Sequence, residues 1–153
     1  MKKVYPEYNR RAFSLMELII VMAIITILAA VVIPTVRSFS PYFQLNNSTK
    51  LILSKLRQAQ EEAITVQDRN SLRFNLAVSP VTFQLIKIAG SEIVLEEGQL
   101  VKDVSVAFDP AATNNEVIFS SDGGPNWSGN ITVTLRSSSK IINVSPAGVI
   151  KIQ

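Results

Sequence analysis

Glu17 is the residue whose setting calls for a chemical explanation. It stands inside an apolar run, four residues after Phe13, and no charged residue follows it until Arg37. A carboxylate buried in hydrocarbon costs about 2.5–3.5 kcal/mol on insertion scales. The chemistry open to it is pairing with a cation brought in from elsewhere. Other chemistry is poorly provided for. The chain has no His and no Cys, which removes imidazole bases, thiol nucleophiles and the commonest zinc ligands. Ser and Asp occur mostly in turn-like contexts without a candidate base. No enzyme, no cofactor and no metal site are expected, and the fold must hold without disulfides.

The segment around Glu17 is built to cross a membrane. Leu18 to Val36 is 19 residues without a charge, and the stretch is 24 residues counted from Phe13, with Glu17 its one charge. At about 1.5 Å per residue, 24 residues give roughly 36 Å of helix, enough for a hydrocarbon layer of about 30 Å. Residues 1–12 carry Lys2, Lys3, Arg10 and Arg11 against Glu7, a balance of 4 − 1 = +3. The whole chain is also +3 (15 basic, 12 acidic), so residues 13–153 hold 11 of each sign. The basicity belongs to the leader, which places the N-terminus inside and sends the rest outward. A secretory signal cut after Ala29-Ala30, or a plain signal anchor, would share these features. Neither has a use for Glu17.

The stretch Arg11-Ala12-Phe13-Ser14-Leu15-Met16-Glu17-Leu18 resembles the class III signal of type IV pilins and type II secretion pseudopilins. In that family a small residue precedes the cut, Phe follows it, and Glu is fifth in the mature chain. The resemblance implies that prepilin peptidase cuts between Ala12 and Phe13 and methylates the new amine of Phe13. It further implies that the apolar helix is kept, runs to a bend at Pro34, and packs into a filament where Glu17 serves assembly. Ala12 stands where the family usually has Gly, and Ser14 and Met16 where Thr and Ile are commoner.

The remainder must supply a domain. Pro34 and Pro41 each lack a helical donor and predict bends. Helical periodicity is clear from Leu45, where Leu45, Ile52, Leu56, Ala59, Ala63 and Val66 form one apolar stripe. After Arg69 the texture turns to β: Leu72–Val78, Val81–Ile88, Glu92–Glu96, Val104–Phe108, Val117–Phe119, Ile131–Leu135, Ile141–Val144 and Val149–Ile152. Ser79-Pro80, Ala89-Gly90, Asp109-Pro110, Gly123-Gly124-Pro125 and Pro146-Ala147-Gly148 punctuate them. Short spacings favour antiparallel meanders. The expected fold is α+β, a long N-terminal transmembrane helix continuing into an amphipathic helix packed on antiparallel sheet. The expected division is a leader at 1–12, a membrane and filament-packing helix at 13–36, an amphipathic helix at 37–69 and the sheet domain at 70–153.

The second half is similar to the H-type minor pseudopilins and FimT-like minor pilins (the GspH/FimT group). The residues that carry this are Leu56–Ile64 leading into Ser71–Leu76, then Val117-Ile118-Phe119 with Gly123, Ile142-Asn143-Val144 and Gly148-Val149-Ile150. Where relatives often carry Arg on the helix, this chain has Gln60. The implied role is a structural subunit of a secretion pseudopilus or a pilus. Its implied partners are prepilin peptidase, other pilin subunits, an inner-membrane assembly platform and the inner membrane, with the C-terminal domain extracytoplasmic.

Two further constellations carry less. Asp122-Gly123-Gly124-Pro125-Asn126-Trp127 has one carboxylate and lacks the alternating oxygen ligands of a calcium loop. It reads as a turn, with Trp127 either exposed to a partner or folded over a sheet edge. Arg136, Lys140 and Lys151 keep open a DNA-uptake or adhesive minor pilin that binds an external ligand. The balanced charge of residues 13–153 argues against strong nucleic-acid binding.

Overall fold

A computed structural model describes residues 14–153, and the side chains of residues 31–39 lie outside that description. The leader, Ala12 and Phe13 therefore fall outside the described residues. The chain divides into two units, Met1–Phe39 and Ser40–Gln153. One helix, α1 (Leu15–Val66), contributes to both. Pro34 and Pro41 both lie within its helical span.

Within Ser40–Gln153, α1 buries the face its sequence period foretells. Leu45, Ile52, Leu56, Ala59 and Ala63 are each at most 2% exposed. Val66, the last member of the stripe, is 46% exposed because the helix ends on it. The termination is local. Gln67 adopts φ 56°, and the Asp68 N–H reaches back to the Ala63 carbonyl at 3.3 Å. This is the six-to-one bond of a Schellman ending, usually formed with Gly at the left-handed position. Gln67 compensates with its side chain, whose amide donates to the Ile64 carbonyl at 2.7 Å.

Eight strands follow, all paired antiparallel: β1 (Arg69–Asn75), β2 (Thr82–Ala89), β3 (Ser91–Gln99), β4 (Val104–Asp109), β5 (Glu116–Phe119), β6 (Gly129–Leu135), β7 (Ser138–Val144) and β8 (Ile150–Ile152). They form two four-stranded sheets, ordered β3-β2-β1-β5 and β4-β6-β7-β8. Each run expected from sequence became a strand, with shifted ends. β1 begins earlier, at Arg69, because its ladder with β2 extends to Ile88. It stops at Asn75, whose Oδ1 accepts the Ala77 N–H at 3.1 Å and turns the chain out of the sheet. β3 is longer than expected because it pairs with the whole of β2, apart from a bulge opposite Leu85/Ile86.

The inner faces of both sheets and the α1 stripe share one core. Leu72, Phe74, Phe83, Leu85, Val117 and Phe119 come from the first sheet, and Val106, Ile131, Val133, Ile142 and Val144 from the second. Alternation is clearest in β6, where Ile131, Val133 and Leu135 are buried and Thr132 and Thr134 are half-buried.

Candidate functional site

The described part of the N-terminal run, residues 14–30, is built around Ser14 and Glu17. Ser14 precedes the helix, and its hydroxyl accepts the Met16 N–H at 3.3 Å. Its carbonyl accepts the Leu18 N–H at 3.2 Å. Ser14-Leu15-Met16-Glu17 thus has the S-x-x-E spacing of a helix start, with an acid in the first turn facing the positive end of the helix dipole. Sequence reasoning treated Ser14 only as a substitute for Thr. The capping spacing itself was the signal that could have shown its second use.

Beyond Glu17 the exposed surface is apolar all round. Leu15, Met16, Leu18, Ile19, Ile20, Val21, Met22, Ile24, Ile25, Ile27 and Leu28 are 43–75% exposed. These positions are not one stripe but the full circumference of the helix, the pattern of a helix meant for an apolar surrounding. The one hydroxyl among them is already satisfied, since Thr26 Oγ1 donates to the Met22 carbonyl at 2.7 Å. Such back-bonding lets a polar side chain sit in hydrocarbon without an orphaned group. Glu17, also exposed, is the single charged side chain of residues 15–30. Among the described residues, no helical window is long and apolar enough to cross a membrane. Residues 15–30 alone give roughly 24 Å of rise, short of a hydrocarbon layer of about 30 Å.

A second polar site lies in the domain. Glu116 on β5 is 5% exposed. It accepts a hydrogen bond from Ser71 Oγ at 2.5 Å and two from Arg73 Nη2 at 3.2 and 3.1 Å. Arg73 also makes a two-pronged contact with Glu92 of β3 at 2.9 and 2.7 Å. The hydrogen bond from Arg73 and the nearby positive charge hold the Glu92 carboxyl below its ordinary range. The Glu92 hydrogen bond is the largest cause keeping the Arg73 guanidinium protonated, against the opposing effect of burial. The cluster ties three strands of one sheet, β1, β3 and β5.

The Asp122–Trp127 segment is a turn. Asp122 Oδ1 accepts the Gly124 N–H at 3.1 Å, and Asn126 exchanges hydrogen bonds with Ile118 at 2.8 Å through its backbone and its side chain. Trp127 folds back over the sheet. Its indole N–H donates to the Pro110 carbonyl at 2.9 Å, and its ring meets Phe108 edge-on at 5.3 Å. Among the described residues no three His, Cys, Asp or Glu side chains converge as metal ligands would.

Two family profiles match this chain. That of the prokaryotic N-terminal methylation motif covers residues 8–33, the stretch holding Ala12, Phe13 and Glu17. That of the type II transport protein GspH covers residues 48–148, more than half of the chain. The chain belongs to the GspH family. No curated protein matches it in sequence. Among solved structures, the type IV minor pilin FimU of Pseudomonas aeruginosa aligns with a TM-score of 0.64 at 14% identity, covering 75% of this chain and 92% of that one. The minor pseudopilin EpsH from the Type 2 Secretion System of Vibrio cholerae aligns at 0.62 and 10% identity, covering 72% and 96%. At such identities the two likenesses establish a shared fold, a helix packed on antiparallel sheets. GspH-family membership makes this chain a minor pseudopilin or minor type IV pilin. It is a membrane-anchored filament subunit, processed by prepilin peptidase and assembled with other pilin subunits.

Proposed function

We propose that this GspH-family subunit enters the inner membrane through residues 13–36, with residues 1–12 cytoplasmic and residues 40–153 outside. Prepilin peptidase cuts between Ala12 and Phe13 and methylates the amine it has freed. An assembly platform in the same membrane then draws the subunit into a pseudopilus or pilus, with Pro34 supplying a bend in the packing helix. The observation that carries this reading is Glu17, the one charged side chain of residues 15–30, a stretch of helix otherwise apolar around its circumference.

Cleavage turns Phe13 into a cation. Phe13 of one subunit and Glu17 of a neighbour then form a pair whose charges cancel as the helices bundle. In a low-dielectric setting such a pair serves register, because a misaligned neighbour leaves both charges unpaired.

N-terminal sequencing and mass measurement of membrane-extracted protein test the first step. The expected result is a chain beginning at Phe13 and heavier by one methyl group. A chain beginning at Met1, or after Ala30, would overturn it.

A further inference from the structure

The first turns of the outer unit carry an aromatic pair with no core to join. Tyr42 and Phe43 are each 58% exposed, and their rings meet edge-on at 6.2 Å. Beside them stands Lys140 of β7. Its Nζ donates to Asn46 Oδ1 at 2.9 Å and lies 5.7 Å from the centre of the Tyr42 ring. The ammonium is thus fixed next to an exposed aromatic surface.

Strand register extends this patch into a rim. Lys140 pairs across to Val133, and the β6–β7 hairpin closes beyond it through Arg136 and Ser137, both exposed. Val104 pairs with Leu135, which brings the exposed Val101-Lys102-Asp103 loop to the same end. That end therefore presents Lys102, Arg136 and Lys140 against Asp103 alone, interleaved with exposed aromatic and aliphatic groups.

We propose that this rim rests on the anionic lipid headgroups of the membrane that holds the N-terminal helix. The inference depends on the anchored topology proposed above. Amphipathic aromatic rings favour the headgroup level, and nearby Lys and Arg are drawn to anionic lipid. Position along the chain agrees. Tyr42 follows Val36 by only six residues, so it comes soon after the apolar run in the chain. The occupant is a lipid surface because the rim begins where the apolar run ends, and because its charge is of the sign that lipid headgroups attract. Tyr42 and Phe43 set the depth, and Lys140, locked by Asn46, holds the β6–β7 hairpin down.

The absence of native cysteine makes a site-specific test clean. The full-length chain carrying Ser137→Cys, labelled with a fluorophore, is reconstituted into vesicles of mixed anionic and zwitterionic lipid with headgroup-attached quenchers. Thr113→Cys, at the opposite end of β4, is the comparator. The expected result is several-fold stronger quenching at position 137 than at 113. The difference should fall in zwitterionic vesicles, in Lys140→Gln, and in a Tyr42→Ala, Phe43→Ala double variant. Equal quenching at 137 and 113, in chain that resists alkaline washing from the vesicles, would overturn the rim contact while leaving the anchor standing. Unchanged quenching without anionic lipid would overturn the role given to the cations. Chain that washes off would overturn the anchored topology and this inference with it.

Discussion

The side-chain amide of Gln60 donates to the Gly148 carbonyl at 2.8 Å, and the same nitrogen donates to the Gly123 carbonyl at 2.8 Å. One helical residue thereby clasps two turns, the one after β5 and the one before β8. Both glycines are buried and both adopt the left-handed backbone, φ 81° and 77°. A Cβ on Gly148 would stand 2.7 Å from Gln60 Nε2 and 2.7 Å from the Gly123 carbonyl oxygen. The clasp therefore depends on glycine for both conformation and space.

Gln60→Ala leaves two buried carbonyls without their shared donor and is expected to cost about 1–3 kcal/mol. Gly148→Ala adds left-handed strain of about 1–2 kcal/mol to a steric clash and should cost more. Urea unfolding of the detergent-solubilised chain, followed through Trp127, measures both. An unchanged midpoint for Gln60→Ala would show that the clasp carries no stability.

Much of this domain is legible in sequence, and the parts that are not share a cause. The α1 stripe and the β6 alternation follow from periods of 3.6 and 2, so the five buried apolar positions of the helix and all eight strands are readable, whereas the helix's buried Ser48 and Thr49 are not. The Gln60 clasp is not, because its acceptors are backbone oxygens 63 and 88 residues away. Nor is the burial of Glu116, whose partner Arg73 lies 43 residues earlier. The start of β1 was hidden for a related reason. Asn70 and Ser71 are polar yet fully buried, so their strand lacks an apolar signature. The expectations for Ala12, Phe13 and Glu17 rest instead on local residue type, the kind of requirement that a peptidase and a bilayer impose.

Glu116→Ala removes the acceptor of Ser71 and one of the two carboxylates of Arg73. Hydrogen bonds to charged groups are worth about 1.5–3 kcal/mol, and a loss in that range is expected. Because Glu92 still neutralises Arg73, the penalty should stay below that of a buried charge left wholly unpaired. Denaturant midpoints of the single variants and of the Glu92→Gln, Glu116→Ala double variant give the coupling.

The Arg73–Glu92 pair also sets a pH dependence. Arg73 lowers the Glu92 carboxyl from its ordinary 4.5. Its contribution to stability is therefore complete above that value and is lost as pH falls through the lower folded one. The hydrogen bond to Glu92 holds the Arg73 guanidinium still more firmly protonated than usual, so it stays charged throughout the acid range. Acidification below about pH 4.5 should destabilise the wild type more than Glu92→Gln. The difference should be small and should shrink in about 1 M salt, because Glu92 is open to solvent.

Ser48 offers a prediction of opposite sign. It is 2% exposed on α1, and its hydroxyl finds no hydrogen-bond partner among the described residues. Desolvating a hydroxyl without compensation costs about 1–3 kcal/mol. Ser48→Ala removes that cost and improves helix propensity. It should raise the urea midpoint, and a lowered one would mean the hydroxyl is satisfied.

The most consequential prediction concerns Glu17. Its removal lowers the cost of placing the helix in hydrocarbon, so Glu17→Ala should insert at least as well as the wild type and still be cut before Phe13. What it loses, on the proposed pairing, is the partner of a neighbour's Phe13 amine. Coupling energies of close charge pairs at protein interfaces begin at about 1.5 kcal/mol, which corresponds to roughly tenfold in an equilibrium. Sheared-filament fractions should therefore contain at least about tenfold less of the variant at equal membrane levels. Glu17→Asp keeps the charge on a shorter stem and should recover part of the loss, whereas Glu17→Gln should recover little. Incorporation of Glu17→Ala at the wild-type level would remove charge pairing from assembly and leave Glu17 only its place at the helix start beside Ser14.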